Sequence, residues 1–185
     1  LGFPVQAIRA ERLRGGITFN ETGLRSGTVH GQLLGNEAVF AAAPDDTRAG
    51  ATHVALHGRI ASTALASAFG ARIASRLSGD VPWQAQLSLR PDGNPWNADF
   101  DLHGLEMRFP APLAKARDEP LLLKLRGPPA ASRDVQLIEM QAGGRMSGRL
   151  AFVRTGKDWS FSKGRIGFGE IVRSLPSEEG LQLTA

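Results

Sequence analysis

The sequence predicts a mainly β protein, and three observations carry that prediction. Apolar and polar residues alternate with period two in short segments spread along the 185 residues. Gly, at 22 copies, and Pro, at 11, punctuate the chain at intervals too short for most helices. A single segment keeps a helical period instead.

In chain order, short strands are expected at 17–19, 28–34, 38–42 and 52–60, separated by Gly or by Pro44-Asp45-Asp46. The segment 62–77 is the exception: Leu65, Phe69, Ile73 and Leu77 recur every four residues, as on one side of an amphipathic helix. Ser62 or Thr63 suits its N-cap and Gly79 its C-terminal stop, whereas Gly70 weakens its middle.

The clearest strand covers 81–90, where Trp83, Ala85, Leu87 and Leu89 alternate with Gln84, Gln86, Ser88 and Arg90. Pro91-Asp92-Gly93-Asn94-Pro95 is turn chemistry, and alternation resumes with Ala98, Phe100 and Leu102 against Asn97, Asp99, Asp101 and His103. This pair predicts an antiparallel hairpin. Past Gly104 the apolar set becomes Leu105, Met107 and Phe109, one residue out of phase; a bulge or bend at Gly104 would return them to the same face. Pro110-Ala111-Pro112 then breaks the strand. A strand at 121–126, carrying Leu123 and Leu125, ends at Gly127-Pro128-Pro129, and 135–141, 144–154, 159–163, 164–168 and 181–184 follow. The sum is roughly eleven short antiparallel strands with one helical interruption, a pattern that fits a closed sandwich or barrel and an open curved sheet equally.

Composition removes several functions. There is no Cys, hence no disulfide, thiolate metal site or Cys nucleophile. The net charge of +4 is modest and scattered. The sequence pI of about 10.3 reflects the lack of Tyr and Cys to titrate below Arg, so no nucleic-acid footprint is expected. No apolar run is long enough to span a membrane as a helix. The ends, Leu1 without a leader and Leu183-Thr184-Ala185 in what reads as an incoming strand, suggest an internal section of a larger protein.

The remaining polar motifs point to surface. His53 and His57 have helical zinc spacing but fall on a strand, about 13 Å apart. His30 and His103 are isolated, and Asp99 and Asp101 read as a solvent-facing row. Ser160-Phe161-Ser162-Lys163 matches Ser-x-x-Lys but not at a helix start. Gly164, Gly167 and Gly169 have the wrong spacing for a phosphate loop and suit bends in a sheet. Asn20-Glu21-Thr22 is formally a glycosylation sequon. Nothing here supports an enzyme, a metal or a cofactor.

Several segments carry a resemblance. Leu102-His103-Gly104-Leu105-Glu106-Met107-Arg108-Phe109-Pro110-Ala111-Pro112-Leu113-Ala114-Lys115 resembles a recurring segment of the YhdP family, the AsmA-like and TamB-like envelope proteins of Gram-negative bacteria. Leu77-Ser78-Gly79 leading into Trp83-Gln84-Ala85 is similar to that family's entry into a Trp-containing strand. Gly16-Ile17-Thr18-Phe19-Asn20, Gly31-Gln32-Leu33-Leu34-Gly35, Gly164-Arg165-Ile166-Gly167-Phe168-Gly169 and Leu175-Pro176 to Gly180-Leu181 fit as well.

The resemblance implies an elongated, curved antiparallel sheet forming an open groove, with residues 1–185 as one periplasmic section of an inner-membrane-anchored protein whose anchor lies elsewhere. It implies an apolar trough that carries phospholipid between inner and outer membranes, sustains the outer-membrane barrier and meets membrane proteins at its two ends. The residues expected to line the trough are Trp83, Leu87, Leu89, Phe100, Leu102, Leu105, Met107, Phe109, Leu123 and Leu125. Two other readings stay open: a structural β-scaffold sealed by the 62–77 helix, and a glycan-binding β-domain using Trp83, Trp96 or Trp159 as a stacking platform.

Overall fold

The computed structural model describes residues 10–20, 23–33, 35–45, 50–64, 71–91, 93–129, 134–156 and 158–185. Alternation and turn chemistry build strands β1 (Ala10–Asn20), β2 (Gly23–Leu33), β3 (Asn36–Pro44) and β4 (Thr52–Ala61). A 3-10 turn at Ser62–Ala64 and helix α1 (Ala71–Ala74) follow, then β5 (Leu77–Ser78), β6 (Asp80–Leu89), β7 (Trp96–Asp101) and β8 (Glu106–Met107). The chain finishes with β9 (Leu122–Gly127), β10 (Val135–Ala142), β11 (Met146–Thr155), β12 (Asp158–Phe168) and β13 (Gly180–Thr184).

Eleven of these strands form one sheet in the order β1-β2-β3-β4-β6-β7-β9-β10-β11-β12-β13, while β5 and β8 pair separately. The edge strands β1 and β13 do not meet, so the sheet is open and curved rather than a barrel. At about 4.8 Å per strand it is about 50 Å wide. Its meander is local: each of the first ten strands pairs antiparallel with its sequence neighbour in the sheet. The expected hairpin is present, with Trp83 opposite Phe100 and Leu87 opposite Trp96. Its turn is closed by Ser88 N–H to the Pro95 carbonyl at 3.0 Å and by Arg90 N–H to Asn94 Oδ1 at 3.1 Å.

Four expectations are corrected. The strand does not resume past Gly104 on the same face. Asp101 Oδ1 accepts the His103 N–H at 2.9 Å, and Gly104 turns at φ +89°, a left-handed conformation that a side chain disfavours. The chain therefore leaves the sheet, and β8 pairs with β5, Met107 opposite Leu77. The helix expected over 62–77 stops at Ala74, since β5 claims Leu77; it is described as a 3-10 turn at Ser62–Ala64 and α1 at Ala71–Ala74, and residues 65–70 lie outside the described residues, as do Glu21 and Thr22 of the sequon. The candidates 159–163 and 164–168 are one strand, because Gly164 carries the ladder on past a register shift opposite Ala151 and Phe152. Finally, β13 runs parallel to β12. The 169–179 segment makes that possible by crossing the sheet, where Ser147 Oγ donates to the Glu170 carbonyl at 2.8 Å and accepts the Val172 N–H at 2.7 Å.

Candidate functional site: an apolar sheet face closed at one rim

Residues paired across strands share a face, so the register can be followed from edge to edge. One row takes a residue from each of the eleven strands: Gly15, Val29, Phe40, Leu56, Ala85, Ala98, Leu125, Met140, Gly148, Ile166 and Leu183. None of the eleven has a polar side chain. The next row, on the other face, reads Thr28, Ala41, Ala55, Gln86, Asn97, Arg126, Glu139, Arg149, Arg165 and Gln182. The sheet thus has one continuous apolar face and one largely polar face.

Large side chains stay on the apolar face because glycines make room beneath them. Gly58 pairs with Trp83, and Gly127 with Trp96. A Cβ on Gly58 would stand 3.1 Å from Trp83 Nε1 and 2.7 Å from the Glu37 carbonyl oxygen; one on Gly127 would overlap the Trp96 indole. Each ring therefore lies along the sheet over its cross-strand glycine.

Among the described residues the apolar face is closed at one rim only. Residues 62–64, 71–79 and 102–121 fold over the ends where β4 finishes and β6 begins. Ala38, Ile60 and Trp83 form one buried cluster there, and Val81, Leu102 and Leu105 another. This cap is stitched by Leu102 N–H to Leu121 O at 2.8 Å, Gly104 N–H to Arg117 O at 2.9 Å and Ser62 N–H to Gly79 O at 2.9 Å. Lys115 is buried in it, its ammonium donating to the Leu105 and Ala116 carbonyls, each at 2.9 Å. Burial, and secondarily the Arg145 guanidinium, hold the Lys115 pKa below its ordinary value, against opposing pulls from Asp118 and Asp101.

Exposure rises away from the cap. Along β6 the same face runs from Val81 at 4% and Trp83 at 7% to Leu89 at 41%. Val54, Leu87, Leu125, Ile138, Leu150, Phe152 and Phe161 are half-buried, and Ile17 and Leu183 at the two edges are exposed. The face is a wedge, dry at the cap and open at the opposite rim.

Of the residues expected to line a trough, Trp83, Leu87, Leu89, Phe100, Leu123 and Leu125 share this face. Leu102 and Leu105 are buried in the cap, Met107 packs on them from β8, and Phe109 lies beyond it with the Arg76 guanidinium 6.0 Å from its ring centre. Phe40, Leu56, Ile138, Met140, Leu150, Phe152 and Ile166 were missed. Their alternation was visible, but only the register joins them to the hairpin.

The polar face holds the remaining candidates. His53 and His57 alternate there on β4, and Asp99 and Asp101 on β7, with Asp99 opposite Lys124. Among the described residues no group of three or more His, Cys, Asp or Glu could hold a metal. Ser160 and Lys163 lie within β12, where no helix begins. An open depression of about 500 Å³ lies beside the crossing segment, lined by Lys124, Arg126, Glu139, Arg149 and Arg173 among others; Arg149 pairs with Glu139. Trp83 is too buried to stack on a sugar.

No described helix is long and apolar enough to cross a membrane. No curated protein and no solved structure matches the chain. A family model described as YhdP protein matches residues 4–185. With nearly its whole length matched, the chain belongs to the YhdP family of AsmA-like envelope proteins.

Proposed function

We propose that this chain is a non-enzymatic section of a lipid-conducting trough, in which the apolar face shelters phospholipid acyl chains crossing the periplasm between inner and outer membranes. The observation that supports this reading is the eleven-strand row without a polar side chain, half-buried rather than sealed over most of its width. Exposing an acyl chain of about 14 methylenes to water costs about 11 kcal/mol, at about 0.8 kcal/mol per methylene. A continuous apolar face removes that cost at every step and needs no specific pocket, so chains can slide along it.

The polar face keeps the section soluble on its other side. In this reading the parent protein supplies the anchor, membrane proteins dock at its two ends, and loss of the trough weakens the outer-membrane barrier. A sealed scaffold accounts for the two buried clusters but not for Leu89, Leu125 or Phe152, which the cap leaves open.

The test is native mass spectrometry with lipid extraction on the purified chain, after incubation with vesicles of phosphatidylethanolamine and phosphatidylglycerol. Co-purifying phospholipid is expected, and it should be lost in a Leu125→Asp, Phe152→Asp double variant that keeps the wild-type circular dichroism. A folded wild-type chain free of lipid would overturn the proposal.

A further inference from the structure

We infer that phospholipids lie in this section in one orientation, acyl chains toward the cap and headgroups along the opposite rim, which acts as a single headgroup rail. The inference rests on the lipid-trough reading and adds to it which side of the sheet the polar ends occupy.

The first argument is closure. At the capped rim Val81 and Leu105 are each 4% exposed and the 102–121 segment covers the strand ends. A phosphate placed there would be stripped of water among apolar side chains, and the buried cation at that rim, the Lys115 ammonium, already donates to the Leu105 and Ala116 carbonyls. Burying an unpaired charge in this way is strongly unfavourable. Among the described residues nothing crosses the apolar face at the other rim, and a headgroup there keeps its hydration.

The second argument is the chemistry of the open rim, independent of closure. The strand ends there place Leu89, Trp96, Arg154 and Trp159 on the apolar face: Trp96 opens β7, and Arg154 pairs with Trp159 where β11 meets β12. Both Trp residues are half-buried. Indoles with one apolar flank and one wet edge are the side chains that settle at lipid–water boundaries. Arg154 is exposed, and its Nε donates to the Gly156 carbonyl at 3.1 Å, which fixes the guanidinium at the rim where it can pair with a phosphate. The third indole, Trp83, sits at the capped end and is buried.

The experiment uses the full wild-type chain and two photoreactive phosphatidylethanolamines in vesicles of phosphatidylethanolamine and phosphatidylglycerol, one with a diazirine on the headgroup amine and one with it near the acyl terminus. Labelled peptides are mapped by mass spectrometry. The acyl probe is expected to label the face at Leu87, Leu125 and Phe152. The headgroup probe is expected to label 93–96 and 154–156 several-fold more than 102–121. Headgroup labelling concentrated at the cap, or equal at both rims, with the acyl probe still on the face, overturns this inference and leaves the trough reading intact. An apolar face that neither probe labels overturns both.

Discussion

The Trp83 indole lies over Gly58 of the neighbouring strand, where a Cβ would stand 3.1 Å from its Nε1. The pair explains how a large aromatic ring is laid along the sheet beside the cap instead of standing across the apolar face. The Trp96–Gly127 pair repeats the arrangement at the other rim.

Replacing Gly58 by Val should therefore destabilise the chain. The new Cβ would stand 2.7 Å from the Glu37 carbonyl, part of the β3 backbone that cannot swing aside as a side chain does. Overpacking of this kind costs about 1–3 kcal/mol. Urea unfolding should show a lower midpoint at an unchanged slope. A wild-type midpoint would mean that the ring and strand have room to spare.

Trp83 itself separates packing from hydrogen bonding. Its Nε1 is buried and finds no hydrogen-bond partner among the described residues, so the polar atom contributes nothing to offset its burial. Trp83→Ala should cost about 3–5 kcal/mol through the cavity it leaves. Trp83→Phe keeps most of the ring, removes the orphaned donor and should cost less than half as much. Equal losses in the two variants, measured by thermal unfolding, would assign Nε1 a bond that this packing does not provide.

These pairs also mark the limit of what the sequence discloses. The Trp83–Phe100 hairpin was legible because its alternation and its Pro-Asp-Gly-Asn-Pro turn are both local signals. That Gly58 or Gly127 would sit opposite a Trp depends on register between strands, which no single strand encodes. The departure at Gly104 follows from contacts to Arg117 and Leu121, more than a dozen residues downstream, so the phase shift at Leu105 looked like a bulge. The parallel β13 was hidden for the same reason: its direction is set by the 169–179 crossing and its bonds to Ser147. The apolar-face residues beyond the hairpin were visible as apolar alternation but could not be assigned to one face until the ladder joined them.

Lys115 gives a pH dependence of definite sign. Its pKa in the folded chain lies below the ordinary value of 10.5, chiefly through burial. Between the folded value and 10.5 the unfolded chain binds more protons than the folded one, so stability should rise with pH through that window. The background is simple, since the sequence has no Tyr or Cys and only four lysines. Lys115→Met should flatten the rise and lower stability overall, because the Leu105 and Ala116 carbonyls lose their donor. Urea midpoints followed from neutral pH to 10.5 test this. The same slope with and without Lys115 would remove it as the source.

A charge scan along β6 tests the two faces against each other at single-residue resolution. Leu87 lies between Val54 and Trp96 on the apolar face, whereas Gln86, one residue away, lies between Ala55 and Asn97 on the other. An Asp placed singly at each position from Gln84 to Leu89 should reduce bound phospholipid at Ala85, Leu87 and Leu89 and leave it near wild type at Gln84, Gln86 and Ser88. Period two is the decisive feature, because a carboxylate on the apolar face must be desolvated to admit an acyl chain and one on the polar face stays in water. The loss at Leu89 should be smaller than at Leu87, since the more exposed position lets its carboxylate reach water at the rim. Lipid binding that fell uniformly along the strand would point to general destabilisation, and binding that ignored all six substitutions would place the acyl chains somewhere other than this face.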